Sequence, residues 1–400
     1  MLATVWQRFR KGYHFVRLFL RPPDFEGAVL TPKRLLNCYR ARWAANRLRT
    51  RLTSYPVQLT IEPTSACNLG CPACFTGAGE VGRRRGSMSL DCYRHLLDEL
   101  GDYLMQLVFY NWGEPLLAKN LVPMIDEAHR RGISTIVSTN FSLPFTAEKA
   151  EALVGSGLDV LGVSLDGAEQ RTYEQYRVGG KLDLVLENCR LIRDAKIRLG
   201  SRTPRVIWEF HVFPHNTADV ESARRMAADL DMDFVASKGW VIGPDWDPSG
   251  RAVQPPPIMP FPCMFLWESV VVNNDGGVAP CCGTFYSEDD MGTLSFEPDR
   301  KSPSSFFEVW NNSRFQQARA FFRNRGPASQ AGNHVCHACP VTLEWEGYQR
   351  FLSDGGLPQH FKPKYGTNER YNYFWDRKGE GRQPTERPSS VGSSSFRRNG

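Results

Sequence analysis

Three thiols recur within one short stretch, Cys67-Asn68-Leu69-Gly70-Cys71-Pro72-Ala73-Cys74. Soft thiolate sulfur selects iron–sulfur clusters, zinc or Cu(I) over hard ions. Four cysteines would close a tetrahedral zinc site or saturate a [4Fe–4S] cube. Three on one tight loop leave a metal position open, and an open position is where chemistry takes place. The loop lacks the histidine and the second nearby CxxC of a zinc finger. A second set lies downstream: Cys263, Cys281, and Cys336 and Cys339 in Cys336-His337-Ala338-Cys339-Pro340. Those four form a closed set for a saturated cluster or an all-thiolate zinc ion. Cys282 stands beside Cys281 as a substitute ligand, whereas Cys38, Cys92 and Cys189 fall in helical segments and read as small core residues.

The elements around the first loop decide what it can do. It follows Val57–Glu62, which alternates as a strand, so it sits on the rim of a parallel barrel where active sites are built. From Tyr55 to about Lys238 strand and helix alternate. Strands are predicted at Val57–Glu62, Leu107–Asn111, Ser134–Thr139, Val160–Leu165, Val206–Val212 and Asp233–Ala236. Helices are predicted near Ser89–Tyr103, Asn120–Arg131, Ala147–Ser156, Leu182–Leu199 and Ala218–Asp229. Repeated βα units imply a parallel sheet with right-handed crossovers. Downstream, Asp275-Gly276 between apolar runs predicts a hairpin with Cys263 and Cys281 on its two arms, and a helix follows over about Ser304–Arg323.

CxxxCxxC just after a first strand resembles the signature of radical S-adenosylmethionine (SAM) enzymes. The resemblance implies an α/β fold, a partial (β/α)6 TIM-type barrel with a small C-terminal β-hairpin/helix auxiliary cluster domain. In that family three cysteines hold three irons of a [4Fe–4S] cluster, and SAM chelates the fourth through its amino and carboxylate groups. One electron cleaves SAM to methionine and a 5′-deoxyadenosyl radical, which abstracts a substrate hydrogen. Here Cys67, Cys71 and Cys74 would be the ligands. Asn111-Trp112-Gly113-Glu114-Pro115 is similar to the family's GGEP segment, with Gly113 and Glu114 toward the SAM amino group and Trp112 in place of the first glycine. Ser138, Asn140, Ser164 and Asp166 resemble positions facing the SAM methionine or ribose, and Arg177 resembles the arginine that pairs with the SAM carboxylate. The position before the last cysteine is often aromatic in the family; it is Ala73 here, and Phe75 is a candidate to cover the cluster instead. Cys263, Cys281, Cys336 and Cys339 resemble the twitch or shortened SPASM extension, which binds one auxiliary [4Fe–4S] cluster.

The expected organisation is a basic helical extension over 1–54, the barrel over 55–240, a Pro/Gly-rich linker over 241–262, the auxiliary domain over 263–345 and a largely disordered tail over 346–400. Eleven cysteines, an odd number with no secretory signal ahead of them, fit metal-bound thiols in a reducing, cytoplasmic setting. No apolar run approaches the roughly 20 residues of a membrane span. Residues 1–51 hold twelve Lys/Arg and two acids, more than the whole net charge of +6, so the remainder is slightly acidic. Two helical stretches are predicted there, one ending at Pro22-Pro23 and one from Pro32 to Arg51. They pack on the barrel with their arginines in solvent, or make a peripheral contact with an anionic membrane.

The function expected is oxidation of a sugar- or cyclitol-type or other secondary metabolite, with the auxiliary cluster as electron acceptor. A peptide side chain is the alternative substrate, and a non-catalytic iron–sulfur or zinc scaffold the non-enzyme alternative. A flavodoxin- or ferredoxin-type donor is implied, and no nucleic acid. Glu209, His211 and Glu268 are candidate bases, and Arg83-Arg84-Arg85 either grips an anionic substrate or is solvated.

Overall fold

The computed structural model describes residues 25–239, 263, 265–294, 305–324 and 334–338. The helix expected before Pro22, the linker at 241–262, Cys339 and the tail from 346 lie outside the described residues.

Pro32–Asn46 forms α1, started by Thr31, whose hydroxyl accepts the Arg34 N–H at 3.2 Å. Six strands joined by five helical crossovers follow. Their strands are β1 (Gln58–Ile61), β2 (Gln106–Val108), β3 (Ser134–Thr139), β4 (Val160–Ser164), β5 (Arg205–Val212) and β6 (Asp233–Lys238). The helices between them are α2 (Leu90–Leu100), α3 (Leu121–Arg130), α4 (Ala147–Gly155), α5 (Gln170–Tyr176), α6 (Leu182–Leu199) and α7 (Val220–Asp229). Then come α8 (Phe265–Glu268), β7 (Ser269–Val272), β8 (Gly277–Ala279), β9 (Gly292–Thr293), α9 (Phe306–Trp310) and α10 (Ser313–Asn324). Sequence periodicity misses α5, a short polar helix, Gln-Arg-Thr-Tyr-Glu-Gln-Tyr.

One sheet runs through the whole described molecule in the order β6-β5-β4-β3-β2-β1-β7-β8-β9. Neighbours from β6 to β7 are parallel, and the last two pairings are antiparallel. The fold is an α/β partial barrel, and its auxiliary hairpin is an extension of the barrel sheet. Leu59 of β1 pairs with Val270 of β7, and Ile61 with Val272. The hairpin turn has Gly276 at φ +85°, the left-handed region that Asp-Gly turns use.

Cys263 is not on a hairpin arm. Phe265–Glu268 coil into one helical turn between it and β7, because Leu266 and Trp267 there are driven into the core, and the Trp267 indole N–H donates to Arg49 O at 2.9 Å.

The two faces of the barrel strands differ. On β5, Val206, Trp208 and Phe210 are buried among the helices, while Ile207, Glu209 and His211 on the other face are only half-buried. Ile136 and Ser138 of β3 repeat that pattern. The concave face is therefore an open, partly polar lumen, and the helix-covered face carries the core.

Candidate active site: a cysteine loop at the barrel rim

Beyond β1 the chain enters the cysteine loop, which is fixed by its own backbone. Gly70 N–H donates to Val178 O (2.9 Å), Cys74 N–H to Cys71 O (3.1 Å), and Ala78 N–H to Cys74 O (2.7 Å). A Cβ at Gly77 would meet the Cys71 backbone at 2.5 Å, so the loop closes this tightly only on glycine. The loop packs with Leu69, Phe75, Tyr176, Phe213 and Phe285 in an apolar cluster separate from the main core. Burial pushes the Cys67 thiol up to about 12 and raises Cys71 and Cys74, and neighbouring thiols further raise Cys67 and Cys71.

Three clustered thiols whose surroundings disfavour the thiolate need a positive soft centre among them to deprotonate. A structural zinc ion takes four protein ligands, whereas a cube is held by three thiolates with its fourth iron left open. The donor set thus fits an iron–sulfur cluster.

The residues expected around SAM divide into three groups. Gly113 and Glu114 lock the second rim loop to the cysteine loop: Glu114 N–H donates to Ala66 O at 2.7 Å, and a Cβ at Gly113 would collide with the Thr64 carbonyl. The Glu114 carboxylate is fully enclosed. It accepts from Thr139 Oγ1 (2.6 Å), Asn140 N–H (2.7 Å) and Leu116 N–H (3.0 Å), so it staples the β2 and β3 ends together.

Asn140 and Arg177 face the thiols themselves. Asn140 Nδ2 lies 3.8 Å from Cys67 Sγ, and an Arg177 Nη lies 4.0 Å from Cys71 Sγ. Arg177 Nε donates to Asp166 Oδ2 at 2.6 Å. Such contacts to cluster sulfurs tune reduction potential.

Ser138 and Ser164 belong to the lumen. Ser138 Oγ donates to Glu209 Oε2 at 2.7 Å, and Ser164 Oγ lies 3.5 Å from the same oxygen. Asp166, wholly buried, ties the second and third groups together. Its Oδ1 accepts from the His211 N–H (2.6 Å) and lies 3.1 Å from His211 Nδ1. Burial would raise the Asp166 carboxyl, but the Arg177 guanidinium and then His211 outweigh it and hold it below the ordinary value. An ionised carboxylate only accepts, so Nδ1 carries a proton and, in the neutral ring, Nε2 holds the lone pair.

Two candidates leave the site. Glu268 lies at the opposite end of the strands, 3.4 Å from Arg42 Nε, and its carbonyl accepts the Val57 N–H at the start of the barrel. Arg83 is buried and paired with Asp290 and Asp275, which removes it from substrate binding. Its neighbours Arg84 and Arg85 are exposed.

An aromatic wall joins the two cysteine regions. Phe75, next to Cys74, stacks on Phe285 (centroids 4.9 Å apart) and meets Trp112 edge-on at 5.2 Å. The Trp112 indole N–H donates to Thr284 O at 3.1 Å, and Thr284 Oγ1 lies 3.9 Å from Cys281 Sγ. Trp112, which departs from the glycine of the resembling motif, is thus a bridge to the auxiliary region. Neither Phe285 nor Thr284 carries a sequence signal for this. Cys263 and Cys336 are half-buried against the core, and no described cysteine is in a disulfide.

Comparison with known proteins agrees with this geometry. Residues 61–219 match the Radical SAM superfamily, and residues 263–340 match an iron–sulfur cluster-binding (SPASM) domain. The chain carries a radical SAM domain over residues 61–219 and a SPASM-type iron–sulfur domain over residues 263–340. Its cofactors are a SAM-binding [4Fe–4S] cluster, an auxiliary iron–sulfur cluster and SAM. Fe-coproporphyrin III synthase of Methanosarcina barkeri is 29% identical over 140 residues, 35% of this chain and 34% of that protein. The chain thus spans about a third of that relative's length. PqqA peptide cyclase of Rhodopseudomonas palustris is 28% identical over 314 residues, 68% of this chain and 76% of that one. The fold is shared with Streptococcus suis SuiB bound to precursor peptide SuiA, at TM-score 0.51 and 13% identity over 85% of each chain.

Proposed function

We propose that this chain is a radical SAM oxidoreductase. Cys67, Cys71 and Cys74 would hold the SAM-binding cluster, and Cys263, Cys281, Cys336 and Cys339 the auxiliary one. Bound there, the first cluster and SAM supply a hydrogen-abstracting 5′-deoxyadenosyl radical, and the second supplies an electron sink. The domain limits read from sequence, 55–240 for the barrel and 263–345 for the auxiliary part, are the working division. A flavodoxin- or ferredoxin-type protein is the proposed donor.

The single observation carrying this reading is the polar lumen. Ser138, Ser164, Glu209 and His211 offer hydroxyl, carboxylate and imidazole groups on the concave face beside the cysteine loop. Glu209 Oε2 already holds the Ser138 proton donor, leaving its other oxygen for a hydroxyl. His211 Nε2 is the proton acceptor for a hydroxyl or amine whose carbon loses hydrogen, because Asp166 fixes the proton on Nδ1. A substrate rich in hydroxyls, of the sugar or cyclitol type, suits that lining. The similarity to PqqA peptide cyclase over 68% of the chain favours a second reading, a peptide side chain.

The test is anaerobic reconstitution followed by dithionite and SAM. The iron-loaded protein is expected to release 5′-deoxyadenosine. An iron-loaded protein that releases none would overturn the enzyme reading in favour of a scaffold.

A further inference from the structure

Helix α1 is turned inside out. Its inward face carries small and polar residues, including Arg34, Asn37, Cys38 and Ala41. Arg34 donates to the carbonyls of Val29, Gly132, Gly101 and Arg131 at 2.5–3.1 Å, and Asn37 donates to Tyr55 O at 3.1 Å. The helix is therefore held to the barrel by hydrogen bonds, which frees its large apolar residues to point outward.

They do so as one stripe. Leu35 (44% exposed), Leu36 (47%), Tyr39 (39%) and Trp43 (37%) follow helical spacing, with exposed Arg40 and Arg47 among them. Six of the eleven large apolar residues exposed in the described structure fall between Val29 and Trp43. A contiguous apolar patch of this kind marks a docking surface.

Charge selects the occupant. No acid occurs from residue 27 to 51. Two acids packed near the helix, Asp102 and Glu268, are paired with Lys33 and Arg42. Arg40, Arg47, Arg49 and Arg51 stay exposed, with the Arg49 guanidinium over the Trp43 ring at 5.3 Å. A second copy would bring an identical basic face against this one. Residues 1–24 add five Lys/Arg against one acid to the same end of the chain. Leucine, tyrosine and tryptophan interleaved with arginine suit the boundary between acyl chains and anionic headgroups. No described helix is long and apolar enough to cross a membrane, so the contact is one that lies on the surface.

We propose that the exposed face of α1 docks this protein onto an anionic lipid bilayer. The inference rests on none of the cysteine chemistry, so its failure leaves the proposed reaction untouched.

The test uses the full chain with extruded vesicles of phosphatidylcholine, alone or with about one-third phosphatidylglycerol, at ~0.1 M salt. The protein is expected to co-sediment with the anionic vesicles about tenfold better than with neutral ones, and to lose that preference at ~1 M salt. Leu36→Glu with Trp43→Glu should weaken binding by at least about tenfold, and Arg40→Glu with Arg47→Glu by a similar factor. All four side chains are exposed, so the melting temperature should stay unchanged and certifies each fold. Equal binding to both vesicle types, or full binding by the Leu36→Glu/Trp43→Glu protein, overturns the proposal. So does a wild-type dimer in light scattering that becomes monomeric in that variant, which would make the face a self-interface.

Discussion

Arg83 grips Asp290 with two prongs, Nη1 to Oδ2 at 3.1 Å and Nη2 to Oδ1 at 3.2 Å, and both side chains are almost wholly buried. Arg83 comes from the segment after the cysteine loop, Asp290 from the segment before β9, so this pair fastens barrel rim to auxiliary region. Arg83 Nη1 also reaches Asp275 in the hairpin turn at 3.1 Å, and Nε donates to Phe285 O at 3.2 Å. Removing one partner of a buried ion pair strands the other charge and costs about 3–5 kcal/mol. Arg83→Ala should therefore lower the melting temperature sharply, while Arg84→Ala, exposed, should change it little. Calorimetry on the two reconstituted variants checks this. Equal melting temperatures would mean that the pair contributes nothing.

Around that single cation stand three carboxyls, Asp290, Asp275 and Glu62. Glu62 is fully buried with two long contacts, from Trp112 N–H (3.3 Å) and Asn274 N–H (3.5 Å). Burial raises it from 4.5 to about 7, only partly offset by Arg83. A carboxyl raised in the folded state binds protons that the unfolded chain releases. Its contribution is fully present below the ordinary carboxyl range and is lost as pH rises through about 7. Glu62→Gln should thus melt like the wild type near pH 5 and higher at pH 8, by on the order of 2 kcal/mol. Thermal melts across pH 5–8 decide it; a gap that widens toward acid would reverse the assignment.

Trp112 leads to a prediction that separates packing from hydrogen bonding. Trp112→Phe keeps an aromatic ring between Phe75 and Phe285 but gives up the donation to Thr284 O, a loss of about 1 kcal/mol. Trp112→Gly restores the glycine of the resembling motif and opens a cavity, costing about 3–5 kcal/mol. Because Thr284 Oγ1 lies 3.9 Å from the Sγ of Cys281, a proposed auxiliary-cluster ligand, both should alter that cluster's electron paramagnetic resonance in a protein lacking Cys67, Cys71 and Cys74. Identical spectra would show that the wall does not reach the second cluster.

The βα order and the first cysteine loop were legible in the sequence, because strand–helix alternation and cysteine spacing are local signals. Gly113 and Glu114 were legible as a motif, but the inward turn of the Glu114 carboxylate depends on Thr139 and Asn140 from another strand. Glu268 read as a possible base because the sequence does not show that β7 joins β1 in parallel, which puts the residue before it at the end of the strands away from the cysteine loop. The buried setting of Arg83 was invisible for a related reason: its partners lie on the far side of the sheet order, beyond β7. The outward leucines of α1 were hidden because amphipathic spacing marks two faces without saying which one turns inward.

Arg177 carries the last prediction. Its Nη, 4.0 Å from the Sγ of Cys71, puts a fixed positive charge beside a proposed cluster ligand, and its Nε donates to Asp166 at 2.6 Å. Adding an electron to a thiolate-ligated cluster increases its negative charge, so a neighbouring cation favours the reduced form and raises the potential. Arg177→Met alone would strand the buried Asp166 carboxylate and confound the measurement with unfolding. Arg177→Met paired with Asp166→Asn removes both charges and keeps the volume. Since the cation is the nearer of the two to the sulfur, the potential should fall by tens of millivolts, about 60 mV for each tenfold change in a one-electron equilibrium. Potentiometric titration in a protein whose auxiliary cysteines are replaced reads this cluster alone. A potential that rises, or does not move, would place the Asp166 charge in control and assign Arg177 a purely structural role.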